Sequence, residues 1–515
     1  VLKLTYNVFL FVGTIETAMP KLDTIKASIL SGWNHIDALL DDGPGWNWLT
    51  PARTTIYYSF STSAGTDPKS NGVTGALSTF NTSQQIAIRD IFNKISQITG
   101  ISFSELSDGS KADIHFANAN ITNANNAGLT QWTYNYFYDG SQQITSYVAQ
   151  AYVYVDNAES GSRYLSPTSG NYAYELLMHE LGHAMGLKHP FSGAVVLPAI
   201  EDNTDYTLMS YTQKSLHSNY GPNDIAALYW LYGGDGLGGN LGVGSQGKYL
   251  YATEKPDSIK ATAGNDWIDG QQGSDVVSFS GLRANYILSP SQSSLKVSGS
   301  EGIDTLVNIE RLQFSDMSVN LAVQALANSV SADSLRSIEE LYVAFFNRVP
   351  DADGLAYWIT RFKEGMPIKQ IAESFYNAGI IYSAQTGYSA NMTPDAFINL
   401  VYKNVLGRVD GADSEGLAYW KKGLTSGAET HGSLVTNILA GAHTFKGDAQ
   451  YGWVADLLDN KIQVAHQFAV KAGLNYNSDS ASIVNGMEIA ARVTPSSIEN
   501  AIKLIGLSPD QFNLG

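Results

Sequence analysis

The sequence predicts a multidomain chain with three regions of different class: mixed α/β, then small all-β, then all-α. Three observations predict this. Strand-like and helix-like apolar patterns alternate up to about residue 235. A nine-residue Gly/Asp offset follows near Gly264. From about Asp333 helical spacing prevails, and one stretch of it is duplicated. At 515 residues the chain also exceeds one ordinary core. The expected boundaries are 1–31 for a leader or propeptide, 32–235 for the α/β region, 236–325 for the β region and 330–515 for the helical region.

Composition narrows the function classes. The formal net charge is -17, and only 15% of residues are charged. Such a surface argues against a nucleic-acid partner, which needs a basic face. It suits a soluble extracellular protein, and clustered carboxylates suit calcium. There is no cysteine, which excludes a disulfide framework and any thiolate that could block a metal. No run of 18 apolar residues exists, so no transmembrane helix is expected.

Val1 to Met19 carry an apolar patch too short for a secretory signal, with no small-residue cleavage site. Met19-Pro20-Lys21 is an alternative start. A short helix at Ile36–Leu40, a turn at Gly45-Trp46 and a strand at Ile56–Phe60 follow, the last rich in β-branched and aromatic residues. Residues 83–99 read as an amphipathic helix with Ile88, Ile91, Phe92, Ile95 and Ile98 on one stripe. Thr82 with Gln85 is its expected capping box and Gly100 its stop. Strands are expected near Ile101–Leu106, Ala112–Phe116 and Ala149–Val155, with Ala117–Gly128 a loop. Gly128–Tyr136 reads either as a sheet-edge strand able to pair with an extended peptide or as a surface hairpin.

The next helix, starting near Tyr172, carries the chemistry. His179-Glu180-Leu181-Gly182-His183 places two imidazoles four residues apart, on one helical face. Gly186 lets the backbone turn out of the helix, so that His189 can become a third ligand. Three nitrogen ligands with one open position describe a catalytic zinc site, and Glu180 stands where a carboxylate can move a proton. Pro222–Gly233 is a further helix, capped by Asn223 or Asp224.

The pattern H-E-x-x-H-x-x-G-x-x-H followed by Thr207-Leu208-Met209-Ser210-Tyr211 matches the metzincin signature with its Met-turn. Here the chain resembles the serralysin family of secreted bacterial metalloproteases. That resemblance implies a zinc endopeptidase acting on protein and peptide substrates. His179, His183 and His189 would hold Zn2+ and Glu180 would be the general base. Tyr211 would be a further ligand that substrate displaces, and Met209 an apolar floor under the metal.

The nine-residue offset aligns Gly264–Gly270 with Gly273–Phe279. It resembles the RTX calcium-binding repeat, with Asp266 and Asp275 as oxygen ligands for Ca2+ and Ile268 and Val277 turned inward. About two repeats can be read. Gly302–Asp316 resembles the strand-rich end of such domains, so a small β-roll or sandwich is expected.

In the helical region Leu341–Trp358 returns as Val401–Trp420, the tryptophans 62 residues apart. It resembles a functionally unassigned repeat of secreted and surface-layer proteins. Asp351-Ala352-Asp353-Gly354 and Asp413-Ser414-Glu415-Gly416 lack the EF-hand template and read as helix-capping turns. The paired Tyr-Trp reads as core. The resemblance implies a secreted monomer that leaves by type I export machinery, with cell-surface or surface-layer association. A second reading is a surface-associated binding or adhesion protein whose helical region dominates, the protease being accessory or autoinhibited.

Overall fold

The computed structural model describes residues 20–64, 72–157, 161–508 and 511. The expectations for Val1–Met19 lie outside these residues. The chain divides into two compact units, with the boundary after Tyr251. The expected boundary at 235/236 is therefore corrected. Residues 236–251 pack with the first unit because Asn47 Nδ2 donates to Val243 O at 3.1 Å and Tyr249 stacks on Tyr229 at 3.9 Å.

In the first unit the strands and helices that build the site are β1 (Thr55–Ser59), β2 (Val73–Ser78), α1 (Thr82–Thr99), β3 (Ser102–Glu105), β4 (Ile114–Ile121), β5 (Gly128–Tyr138), β6 (Ile144–Asp156), α2 (Tyr172–Ala184) and α3 (Pro222–Tyr232). The sheet order is β3-β1-β4-β6-β5, with β2 also on β4. β3, β1, β4 and β6 run parallel; β5 turns back antiparallel to β6 and forms the edge. So Gly128–Tyr138 is both an edge strand and one arm of a hairpin. The expected loop at 117–128 is shorter than its composition suggests. Ala117, Ala119 and Ile121 are buried under Tyr152 and Tyr154, which makes strand pairing worthwhile.

α1 buries Ile88, Ile91, Phe92 and Ile95, and Phe92 meets Tyr58 and Phe116 of the sheet. Its capping box is Asn81 with Gln84, one residue earlier than Thr82 with Gln85. Asparagine is at least as good an N-cap as threonine, and Gln84 Nε2 also donates to Asn118 Oδ1 at 2.7 Å. Residues 20–31 belong to this unit as well. Leu22 N donates to Gln142 O at 2.9 Å, and Trp230 Nε1 donates to Ile29 O at 2.6 Å.

The second unit begins with three short strands at a nine-residue step: β7 (Ser258–Lys260), β8 (Trp267–Asp269) and β9 (Val276–Ser278). There follow β10 (Ile287–Pro290), β11 (Leu295–Gly299), β12 (Gly302–Val307), β13 (Arg311–Gln313) and β14 (Met317–Asn320). β9 lies parallel between β7 and β13, whereas β8 pairs with β12. Each nine-residue step thus crosses to the other sheet. Ile259, Ile268 and Val277 are all buried, so the sequence reading missed the first step, at Asp257-Ser258-Ile259.

The helices follow as α4 (Ala332–Phe346), α5 (Ala352–Lys363), α6 (Ile368–Ile381), α7 (Pro394–Leu406), α8 (Ser414–Ser426), α9 (His431–His443) and α10 (Gly452–His466). The duplication is α4-α5 against α7-α8. In both copies an aspartate caps the second helix: Gly354 N donates to Asp351 Oδ1 at 2.7 Å, and Gly416 N to Asp413 Oδ1 at 2.8 Å. Arg348 and Arg408 reach those aspartates at 3.2 and 3.0 Å and lie over Tyr342 and Tyr402. A Cβ at Gly354 or Gly416 would stand 2.7 or 2.6 Å from the tyrosine hydroxyl, which explains the glycines. The motif is a capping device.

The all-α expectation needs one correction. Residues Leu474–Tyr476 form β15, which pairs antiparallel with β14. Arg311 also grips Asp353 at 2.7 Å. The β and helical regions therefore share a sheet and lie within one compact unit.

Candidate metal centre

Asn171 Oδ1 accepts the Tyr174 N–H at 2.9 Å and starts α2. The helix buries Leu177, Met178 and Leu181, which leaves His179 and His183 together on another face. Gly186, at φ +93°, ends the turn after the helix. Leu187 then pairs with Leu40, and the chain returns with His189.

The three imidazoles converge. His183 Nε2 is 3.1 Å from His189 Nε2, which is 3.3 Å from His179 Nε2. Nδ1 of His179 lies 2.7 Å from Leu208 O, and Nδ1 of His183 lies 2.8 Å from Leu187 O. Carbonyls can only accept, so both Nδ1 atoms carry the hydrogen and both Nε2 lone pairs face inward. Burial lowers the pKa of all three rings, and mutual repulsion lowers those of His183 and His189 further, with His189 at about 4. A tetrahedral ion with Zn–N of about 2.0–2.1 Å holds nitrogen ligands roughly 3.3 Å apart. The trio fits such an ion. Among the described residues it is the one group of three or more potential ligands that converges this closely.

Glu180 is buried on α2 beside the trio. Thr130 Oγ1 of β5 donates to its Oε2 at 2.7 Å. A Cβ at Gly128 would sit 2.4 Å from Glu180 Oε1, so the strand passes this closely only as glycine. Burial pushes the Glu180 carboxyl up to about 7, with the Thr130 hydrogen bond opposing.

Met209 is fully buried, and Gly182 makes room for it: a Cβ there would lie 2.5 Å from Met209 Sδ. Asp224 secures the Met-turn. Its carboxylate accepts from Thr207 Oγ1 at 2.5 Å, Leu208 N at 2.8 Å and Gly221 N at 2.9 Å. The N-cap of α3 is thus Gly221, which corrects Asn223 or Asp224; Asp224 acts from the third helical position. Since Leu208 O also receives His179, Asp224 fixes a ligand through one intervening residue.

Tyr211 is exposed, its ring 4.6 Å from that of His189 and 6.0 Å from that of His179. Phe191 stacks on His189 at 5.2 Å and lies tilted against Tyr211 at 5.0 Å. Lys188 Nζ donates to Ser192 O at 2.8 Å and Val195 O at 3.0 Å, which closes the loop carrying His189. Sequence reasoning missed Gly128, Thr130, Gly182, Phe191, Lys188 and Asp224. Gly182 alone left a signal, since a mid-helix glycine costs roughly 1 kcal/mol unless something needs the space.

His115, His217, His431, His443 and His466 stand outside the trio. His115 is buried against Tyr152, and His217 pairs with Asp205 at 3.2 Å.

Asp266 and Asp275 are not brought together, because the nine-residue step separates them onto different sheets. Asp275 Oδ1 instead accepts Asp257 N at 2.8 Å, and Glu310 accepts Asp275 N at 2.8 Å. Its Oδ2 is buried without a partner. Burial, then the charges of Glu310, Asp257 and Asp269, pushes Asp275 up to about 6. Asp266 accepts from Thr262, and its own N–H donates to Asp304 at 2.9 Å.

Residues 73–221 match the matrixin family model, and residues 381–445 match a domain of unknown function (DUF4214). The chain is 26% identical over 270 residues to metalloprotease AprA of Pseudomonas entomophila, covering 47% of this chain and 50% of that protein. It is 26% identical over 256 residues to serralysin G of Dickeya chrysanthemi, covering 45% and 51%. Serralysin of Proteus mirabilis is 27% identical over 245 residues, covering 41% and 46%. The chain spans about half the length of the curated relatives it matches. Residues 73–221, which hold the histidine trio, thus resemble matrixin- and serralysin-type metalloproteases.

Proposed function

We propose that the chain is a secreted zinc-dependent endopeptidase. The observation that carries this is the convergence of three imidazoles, His189 Nε2 standing 3.1 Å from that of His183 and 3.3 Å from that of His179, beside a buried carboxylate. Bound zinc would supply Lewis-acid polarisation of a peptide carbonyl and acidify a water. Glu180 receives the proton at Oε1, because Oε2 is occupied by Thr130. It then delivers the proton to the departing amine nitrogen. Its raised pKa suits both directions, although a cation alongside pulls it back down. Tyr211 stands exposed over His189, able to swing aside for substrate and return to donate a hydrogen bond to the developing oxyanion.

The relatives include metalloproteases by name, which supports peptide-bond hydrolysis. For the second unit we propose calcium at the acidic turns. The buried orphan Oδ2 of Asp275 and the carboxylates crowding it are what a divalent cation would relieve.

The deciding experiment is Glu180→Ala. It should keep one zinc per chain and lose at least about 1,000-fold in kcat/KM on an unfolded protein substrate. Wild-type turnover in that variant sinks the assignment.

A further inference from the structure

The two copies of the duplicated helical unit differ in what lies on them. In the first copy a further helix, α11 (Asp479–Ala491), covers the turn after α4. Val349 N donates to Gly486 O at 3.1 Å, and Arg348 Nη1 donates to Ser482 O at 3.4 Å. The backbones meet this closely because Gly486 has no side chain: a Cβ there would lie 2.9 Å from Val349 O. Ile483 of α11 lines a cavity of about 90 Å³ with Tyr342, Arg348 and Trp358. Val349 is left 1% exposed. The second copy repeats the seat without the cover. Tyr402, Arg408, Val409 and Trp420 take the places of Tyr342, Arg348, Val349 and Trp358. Val409 is 77% exposed, and among the described residues its N–H finds no acceptor. The Arg408 side chain is 37% exposed, against 11% for Arg348. α5 buries Ala352, Leu355 and Ile359, whereas α8 buries no residue. The second turn is two residues longer, but it folds back on its own copy: Gly411 N donates to Arg408 O at 3.0 Å, and Ala412 N to Asn399 Oδ1 at 3.0 Å.

We propose that the bare turn of the second copy is a docking site for a helix of a partner protein, one with the chemistry of α11. The occupant is a helix with a small-residue face that carries an isoleucine and, three residues on, a glycine. Its backbone carbonyls, at the glycine and one turn before it, receive Val409 N and the Arg408 guanidinium. Gly486 O and Ser482 O do the same in the first copy. Its isoleucine enters beside Tyr402 and Trp420. Trp420 Nε1 donates to Tyr402 Oη at 3.0 Å, which orders both rings before docking. Units in a helical repeat bury their open faces against the next element, and α11 fills that place for the first copy alone. The seat already shown to hold a helix favours a helix over a strand or a small molecule. Arg408 is paired with Asp413 at 3.0 Å, so the site selects by close backbone approach rather than by net charge.

The test uses the zinc-loaded full chain in its Glu180→Ala form, which spares the probe from cleavage. The probe is a fluorescent peptide with the sequence of residues 478–492, stapled across its outward face because so short a helix is marginal alone. Fluorescence anisotropy should show saturable binding of one peptide per chain, with a Kd on the order of 100 µM or below. Adding Val409→Asp, a change at an exposed position, should weaken binding at least about tenfold and leave the thermal transition unchanged. A peptide carrying Gly486→Leu should bind the unaltered site at least about tenfold more weakly, a comparison that leaves the protein untouched. Absence of binding, equal binding with and without Val409→Asp, or equal binding by the Gly486→Leu peptide overturns the proposal. So does a dimer that sedimentation shows to depend on Val409 while no peptide binds, since a second copy then occupies the turn.

Discussion

The histidine trio and the nine-residue turns are both written in the sequence as spaced ligands, but only the trio arrives as a group. The histidines hang on one helix and one turn, so local geometry brings them together. Behind them Leu208 O holds His179, Leu187 O holds His183, and Asp224 braces Leu208 before any ion binds. The aspartates sit on a winding that changes sheet at each step. Both Asp266 oxygens are spent on Thr262 and Asp275 Oδ1 on a backbone N–H, while Asp275 Oδ2 is left over. Ligand spacing is thus informative only when the element that carries the ligands is known.

The comparison can be broken most sharply at the trio. His189→Ala should lower zinc affinity and proteolysis by more than about 100-fold while leaving the thermal transition of the second unit unchanged. Equal zinc content by metal analysis would show that two imidazoles suffice. Asp224→Ala comes next. It touches no metal, but it frees Thr207 and Leu208 N and loosens the carbonyl that orients His179. Zinc affinity should fall about 10- to 100-fold, as for other residues behind a ligand, measured by competition with a chelator.

The smallest effect is expected at Asp275, and its sign is opposite. The folded pKa, about 6, lies above the ordinary 3.8. The ionised carboxylate therefore costs stability above pH 6, and the cost fades as pH falls from 6 toward 3.8. Asp275→Asn should raise the Tm by a few degrees at pH 7.5 in chelator, and the difference should vanish near pH 4. Added calcium should stabilise the wild type and not the variant. A variant less stable than wild type in chelator would show that the acidic crowding is already relieved.

Much of the site was legible because metal chemistry restricts residue types and spacings severely. His179, His183, His189, Gly186 and Met209 occupy the places their motif implies. What escaped was long-range. Thr130 and Gly128 meet Glu180 from a strand 50 residues away, and nothing local marks them. Asp224 looks like a helix cap in sequence and serves one in part, yet its larger role is across to Leu208. The turns Asp351–Gly354 and Asp413–Gly416 read as capping because aspartate three residues before glycine is a local pattern, whereas their arginine and tyrosine partners left no such mark. β15 was invisible, since three residues between helices carry no periodicity.

That small strand has a practical consequence. Leu474–Tyr476 closes the flank of β14, nearly 160 residues earlier in the chain. A fragment ending near residue 325 would leave that flank raw and sticky, ready to aggregate. Any expression piece meant to isolate the protease should stop near Tyr251 or run on past Tyr476.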